Sequence, residues 1–481
     1  MKCRILLIVA AATLGLAWLA QSGEMQRVGH TTLLPRHSVA NGDPADDKGM
    51  YLGLIDATNG YAYFIGNYLV KLDITGNLPR QVGPALFTGQ FIQGALDLAA
   101  GIGYFPKGTL ARYSLGAGTN PVTSTGSLSL AAGSAAAVLL DDADPNPANH
   151  YAYVLCTTSG SRAKVAKVAL STFTEIGSIT LGPGETNFIL TSVGDAQHGY
   201  AYFATSPNSG ANIPSVAKVK MTPGTNLPVL IGAVNLDSVG VYIDGACIDT
   251  VHGYAYYGSY DSDTNNPGKV YKVKLESGDA PPTLVGHVAL HPGEGRLAAG
   301  FVDAQQGFVY FGNDNSYPAT IYRLSLNGTN LPVEAGTLHL QSGTSSTNPP
   351  DGVTADNTTT NADGALPFGE VYLRSAAFDP VRGYAYFGQD SRPNQVVKIK
   401  VAQIDPFALT GVSLQTNGSF QFAFTNVAGA GFSALATTNL TLPSSNWTNL
   451  GAATEISPGQ FQFIDPQAAN NPQRFYRVTS P

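Results

Sequence analysis

One stretch recurs along most of this chain and restricts what the chain can become. Gly253-Tyr-Ala-Tyr-Tyr-Gly258 is followed, after a polar loop, by Gly268-Lys-Val-Tyr-Lys-Val-Lys-Leu275, and close copies begin at Gly60, Gly101, His150, Gly199, Gly307 and Gly383. Each copy is an aromatic-rich strand leading to a second strand of the form V-x-K-x-x-L. A unit repeated at this spacing cannot bury its own faces and must stack on its neighbours.

Each unit reads as four strands, A to D, because short alternating segments are separated by Gly, Pro, Asn and Asp clusters with no helical period between them. In unit five these are Tyr242 to Asp249, Gly253 to Ser259, Lys269 to Leu275 and Thr283 to Leu290. Successive side chains of a strand point to opposite faces, and strand C of unit five carries apolar atoms on both. A sheet apolar on both faces has to be sandwiched between others, which radial packing achieves.

Strand D carries a glycine after one or two apolar residues, as in Leu284-Val-Gly-His-Val-Ala-Leu290, and the glycine column is Gly29, Gly83, Gly126, Gly177, Gly232, Gly286 and Gly336. The first of these lies in Arg27-Val-Gly-His-Thr-Thr-Leu33, a strand D with no unit before it, whereas the last unit stops after its strand C at Val401. The expectation is an all-β, seven-bladed propeller over residues 23–405, closed by an N-terminal velcro strand that removes the free edges. Variable loops, including the insertion Gln341 to Phe368, then share the B-C and D-A face, where long loops tend to be functional.

Met1-Lys-Cys-Arg4, an apolar run from Ile5 to Leu19 and Ala20-Gln-Ser22 have the three parts of a secretory signal peptide, so residues 1–22 read as a leader. The run is shorter than the roughly 20 residues that span a bilayer, and the mature protein is expected to have no transmembrane segment. It is placed outside the cytoplasm: secreted, at the cell surface or in the periplasm. Cys156 and Cys247 fall in units that are not adjacent and read as buried free thiols. A net charge of −7 without any basic run gives no electrostatic footprint for nucleic acid. From residue 406 the repeat vocabulary ends. A new alternation at Ser419-Phe-Gln-Phe-Ala-Phe-Thr425 opens a C-terminal β-sandwich module over 406–481.

Gly383-Tyr-Ala-Tyr-Phe-Gly388 and Val396-Val-Lys-Ile-Lys-Val401 resemble the repeats of secreted bacterial propellers of the YVTN and quinoprotein-amine-dehydrogenase-like type. The tail, with Trp447-Thr-Asn-Leu-Gly451 and Arg474-Phe-Tyr-Arg-Val478, is similar to C-terminal modules of other exported bacterial proteins. The resemblance implies the propeller fold, export and surface binding, with sorting or attachment through the tail, but no particular reaction.

Two columns of ionisable residues follow the repeat. Asp56, Asp97, Asp142, Asp195, Asp249, Asp303 and Asp379 close strand A and read as caps of the A-B turn. Lys71, Arg112, Lys167, Lys218, Lys272, Arg323 and Lys398 lie mid-strand C. Burial of their stems between blades, with each head paired, outweighs an anion-binding ring. His198 and His252 read as turn residues. Candidate ligand-binding acids are those that do not repeat everywhere: Asp47, Glu185, Glu294 and Glu370, near the channel mouth.

No catalytic motif, metal-ligand spacing or tryptophan docking pattern is present, so neither catalytic residue, metal site nor cofactor is assigned. Asp261-Ser-Asp-Thr-Asn265 resembles the start of a calcium loop but lacks the downstream acid. The leading expectation is an exported, non-enzymatic propeller that binds a polysaccharide, peptide or surface protein through its variable-loop face. The alternatives are a carboxylate-based hydrolase or lyase acting on polysaccharide, using Glu185, Glu294 and Glu370, and a structural envelope protein.

Overall fold

The computed structural model describes residues 25–479 except 34–48, 89–90, 92, 159–161, 183–187, 207–212, 238–240, 262–266, 292–294, 317, 343–354, 357–368, 393, 402–408, 426–430, 440–446 and 472. The expected leader, most of the long insertion and the calcium-like loop lie outside the described residues. Among those described, regular structure is strand apart from single 3-10 turns.

Seven antiparallel sheets of four or five strands follow one another between Gln26 and Lys400. Sheet five runs Val241–Asp249, Tyr254–Asp261, Lys269–Lys274 and Thr283–Ala289, neighbours in that order, within two residues of the sequence expectation at each end. The first described strand, Gln26–Thr32, pairs with Gln395–Lys400 of the last unit, Thr32 opposite Gln395. Apolar side chains fill the space between consecutive sheets. Tyr257, Tyr271 and Val273 of sheet five pack towards Tyr202 and Val216 of sheet four, whereas Tyr256 and Val270 pack towards Phe311 and Tyr322 of sheet six. Each sheet is thus buried on both faces, and the fold is an all-β propeller.

Beyond these, Thr410–Leu414, Phe420–Thr425, Gln460–Asp465 and Thr454–Ser457 form one sheet, and Thr448–Ala452, Ser433–Thr437 and Phe475–Thr479 another. Buried phenylalanines 420, 422, 424, 432, 461 and 463 form a core that is continuous with Met25, Leu340 and Val401.

The two columns of ionisable residues have structural roles. Asp56, Asp97, Asp195, Asp249, Asp303 and Asp379 each accept a backbone N–H two or three residues on, which fixes the A-B turn. His198 and His252 bond back to the same carboxylates at 2.7 Å. In sheet three the sequence reading needs correction. Strand A ends at Asp141, opposite Tyr151, so Asp141 and not Asp142 occupies the column. The longer loop that follows brings buried His150 to Asp97 of sheet two, Nδ1 to Oδ2 2.7 Å, while its Nε2 meets the Asp144 carbonyl of its own loop at 2.6 Å.

Each lysine of the strand C column passes into the neighbouring sheet, where Lys71, Lys167, Lys218 and Lys272 end in a cage of backbone carbonyls and Lys398 on that of Gly76. Lys218 Nζ donates to the carbonyls of Leu275, Glu276, Gly278 and Ala280 at 2.9, 2.7, 2.8 and 3.1 Å, beneath the Tyr200 ring at 4.1 Å. Lys71 reaches the 115–120 turn and Lys167 the 222–226 turn, while Lys272 reaches 326–330 and Lys398 Gly76. Opposite Lys167, Lys218, Lys272 and Lys398 stands the strand D glycine, where the ladder bulges. A Cβ there would strike the same neighbouring turn: 2.7 Å from Leu227 for Gly177 and 2.8 Å from Leu78 for Gly29.

Two sheets offer the preceding sheet no such turn. Strands C and D of sheet three are joined by the short Leu170-Ser-Thr-Phe173 link, and the last sheet takes its strand D from Gln26–Thr32. The residues facing them are the two arginines. Arg112 and Arg323 bond carbonyls of their own strand D, Thr125 and Ala335, instead.

An ammonium removed from water requires every one of these partners. Burial pushes Lys272 down to about 8, with Asp249 pulling the other way, which leaves it protonated at neutral pH. Replacing fully buried Lys218 by Met orphans four carbonyls. Lys218→Met is expected to lower the unfolding free energy by about 2–3 kcal/mol, whereas exposed Lys220→Met changes it by less than about 0.5 kcal/mol; denaturant unfolding of the two variants measures this.

Candidate functional site

The inner strands of all seven sheets surround a cavity of about 480 Å³. They approach closely: a Cβ on Gly245 would lie 2.7 Å from the Leu297 carbonyl oxygen, so sheets five and six meet here only because the position is glycine. Near its start, strand A carries a β-bulge five residues before the closing aspartate. The residues skipped by the ladder are Tyr51, Ala136, Leu190, Asp244, Ala298 and Arg374 in sheets one, three, four, five, six and seven. Bulges re-aim a side chain, and here Tyr51, Asp244, Ala298 and Arg374 line the cavity at its rim. This rim lies on the face that carries the D-A and B-C loops.

Three of the bulge residues carry chemistry, on one arc of the ring. Arg374 NH1 lies 2.8 Å from Asp314 Oδ2, and its Nε lies 3.4 Å from Asp390 Oδ2. Arg296 Nε contacts the same Asp314 oxygen at 2.8 Å and Asp244 Oδ2 at 3.3 Å. One buried carboxylate oxygen therefore holds two guanidiniums, whose nitrogens sit within twice that 2.8 Å of each other. Each guanidinium also covers a ring: Arg296 is 4.7 Å from the Tyr260 centroid and Arg374 5.7 Å from that of Tyr51. Tyr242 adds a further ring 6.0 Å from Tyr260. Asp390 is fixed by the Gly49 N–H at 3.0 Å.

Burial pushes Asp314 up to about 7 although both arginines pull it down, because Asp244 and Asp390 add their own repulsion. Burial would lower Arg374, but the charges of Asp314 and Asp390 outweigh it and hold the group above its ordinary value. Arg374 remains 18% exposed and Arg296 27%, while Asp314 is buried beside them.

Of the acids expected at this mouth, Asp47, Glu185 and Glu294 lie outside the described residues. Glu370 is described, and it is fully buried. Its carboxylate accepts Arg27 Nε at 2.7 Å and NH2 at 2.6 Å, meets His30 Nδ1 at 3.0 Å and accepts the Gln341 N–H at 3.1 Å. It is not a ligand-facing loop acid, because its partners are the first described strand and the neck of the insertion, where Ser342 bridges Gly369. Tyr51, Asp244, Arg296, Asp314 and Arg374 were not singled out by sequence reasoning. The signal was present in part: aligned on the closing aspartate, the fifth residue before it reads Tyr51, Asp244 and Arg374 where other units have small or apolar residues.

Among the described residues no group of three or more His, Cys, Asp or Glu is placed to hold a metal ion, and no helix is long and apolar enough to cross a membrane. No known family model and no curated protein sequence matches the chain. Similar solved structures include hydrazine synthase of Kuenenia stuttgartiensis, at 8% identity and a TM-score of 0.53, covering 75% of this chain and 98% of that one. Another is U3-55K, at 10% identity and a TM-score of 0.49, covering 77% and 98%. At such identity the likeness to the first extends to the propeller fold alone.

Burial would raise Glu370, but hydrogen bonds from His30 and Arg27 and the charge of Arg27 outweigh it and hold the carboxyl below its ordinary value. A depressed carboxylate contributes stability that is present above its unfolded value and lost as pH falls through the folded one. Thermal melts from pH 7 to pH 3 are therefore expected to fall more steeply for the wild type than for Glu370→Gln, which starts lower. Parallel curves would show that the clasp contributes nothing to acid sensitivity.

Proposed function

We propose that this chain is an exported, non-enzymatic, seven-bladed propeller, closed by its first strand, that binds a hydroxyl-rich partner, a polysaccharide foremost, at the channel rim. The C-terminal β-sandwich module serves secretion or attachment, in keeping with the resemblance of the repeats to secreted YVTN-type propellers. The observation that carries this reading is the departure from seven-fold repetition at the bulge column. Tyr51, Asp244 and Arg374, with Arg296 between the last two, gather on one arc of the variable-loop face.

The chemistry of the arc favours hydroxyls over ions. Each guanidinium is already matched to carboxylates, so the rim offers fixed donors and acceptors with little net charge. A sugar hydroxyl both donates and accepts and suits such a surface, and the exposed parts of the tyrosine rings suit the apolar face of a pyranose. Hydrolysis would need an acid within reach of the scissile bond. Asp314 has a suitably raised pKa but is buried beside the two arginines.

A glycan-binding screen of the mature chain tests the reading. Tyr51→Ala and Asp244→Asn are each expected to weaken a captured glycan at least tenfold with little change in melting temperature, and no reducing ends should be released. Glycan binding that survives both substitutions unchanged places the recognition surface elsewhere, for instance on the 341–368 insertion, whose excision is the parallel variant.

A further inference from the structure

A strand C cation and the strand D glycine of the same sheet form a socket for the next sheet, and five of these sockets are filled alike. Lys71, Lys167, Lys218, Lys272 and Lys398 each receive the C-D turn of the next sheet. In every case the ammonium donates to the carbonyl of the turn's glycine: Gly118, Gly224, Gly278, Gly328 and Gly76. The turns read Gly118-Thr-Asn-Pro121, Gly224-Thr-Asn-Leu-Pro228, Gly278-Asp-Ala-Pro281, Gly328-Thr-Asn-Leu-Pro332 and Gly76-Asn-Leu-Pro79. In the first four the carbonyl two residues after the glycine accepts as well. In all five a leucine or proline of the turn comes within 3.2 Å of where a Cβ on the strand D glycine would stand.

Sheet two has the same socket with no turn in it. Among the described residues no atom lies within 4 Å of a Cβ built on Gly126, whereas at Gly336, also without a plug, the sheet's own Arg323 closes the space at 3.3 Å. Strand D of sheet two, Thr123–Leu128, is exposed along its first five residues, while Thr174–Thr180, Val229–Asn235 and Thr283–Ala289 are half-buried over most of their length. The cation of this socket is in place but barely paired. Arg112 lies 4.6 Å from the Phe173 ring centroid, its NH2 reaches the Thr125 carbonyl of its own sheet at 3.5 Å, and its buried Nε has no hydrogen-bond partner. Phe173 keeps its place with φ at +52°, a left-handed conformation that a bulky residue adopts only at a cost.

We infer that the socket of sheet two is a docking site for another protein, and that what docks there is a surface turn of the Gly-Thr-Asn-Leu-Pro type. The glycine carbonyl of that turn and the carbonyl two residues on accept from the Arg112 guanidinium, and its leucine or proline sits on Gly126. The chemistry of the occupant is that of the five turns already seated. A guanidinium offers its donors in a fixed fork and is weakly hydrated, so it serves two carbonyls when the socket is filled and stays half-exposed when it is empty. Ser124-Thr125 precede Gly126 where Leu230-Ile231 and Leu284-Val285 precede the glycine in filled sockets, which suits a surface that is wetted between visits. A second copy of this chain has no spare turn among the described residues, because all five are seated in its own ring.

Fluorescence anisotropy of a labelled, head-to-tail cyclised peptide with the sequence of residues 221–229, titrated with the whole chain, tests this. Saturable binding is expected, weakened about tenfold by Arg112→Ala, which deletes charge-assisted hydrogen bonds. Replacing the peptide's leucine and the proline after it by serine should weaken it by about as much. Arg112→Lys, which installs the residue of the filled sockets, should retain binding. Exchanging Ser171 and Thr172 of sheet three for the 222–228 turn should seat a plug within the chain, raise the melting temperature and abolish capture of the peptide. Binding that Arg112→Ala and the exchanged turn both leave unchanged overturns the site, as does no binding into the millimolar range. If sedimentation shows the chain associating with itself, and Arg112→Ala abolishes that, a foreign partner is overturned in favour of a second copy.

Discussion

The structure depends on how one sheet grips the next, and that grip is a buried ammonium inside a neighbour's turn. Lys71, Lys167, Lys218, Lys272 and Lys398 each leave their own sheet and end on carbonyls of the following one. The turn that supplies those carbonyls also presses Leu or Pro against the strand D glycine behind the lysine. Lysine and glycine thus form a single socket, and the turn is its plug. Because a desolvated charge tolerates no missing partner, the contact sets the spacing and angle between sheets more strictly than apolar packing, which is non-directional. The arginines mark the exceptions. Arg112 and Arg323 face sheets that have no plug, and a guanidinium can turn back to its own strand where an ammonium would be left stranded.

Repetition of that grip brings the inner strands together, and their closeness produces the candidate site. Glycine at Gly245 admits the backbone of the next sheet, and the bulge beside it places Asp244 at the cavity, as the corresponding bulges place Tyr51, Ala298 and Arg374. In a fully regular ring this position would be uniform. Here it is not, and Asp314 organises the difference by holding Arg296 and Arg374 on one oxygen beside Asp244 and Asp390. Burying this charge-rich cluster at a mouth is costly, and it is confined to one arc.

Much of the fold was legible in the sequence because its constraints are local and recur. The aromatic strand, the strand C with a basic residue at its middle and the strand D glycine each recur through the units, which gave the four-strand unit and the partner of Arg27 to Leu33. The turn-capping role of the aspartates was legible for the same reason. Asp142 was misplaced by one residue because the loop to His150 breaks the spacing on which the column was counted. Glu370 was misread for another reason: a loop acid after glycine looks solvated, and nothing nearby in sequence shows that Arg27 and His30, more than 300 residues earlier, arrive to bury it.

By itself, then, the sequence determined the repeating unit, the two structural columns and the face on which irregular loops gather, because each follows from side-chain period and turn chemistry within a few residues. The tertiary structure alone decided which irregularities meet. Tyr51, Asp244 and Arg374 are separated by more than a hundred residues and become neighbours only when the sheets close around a common axis. Their orientation depends on a bulge that no residue type announces, and their electrostatics depend on a carboxylate, Asp314, contributed by yet another strand.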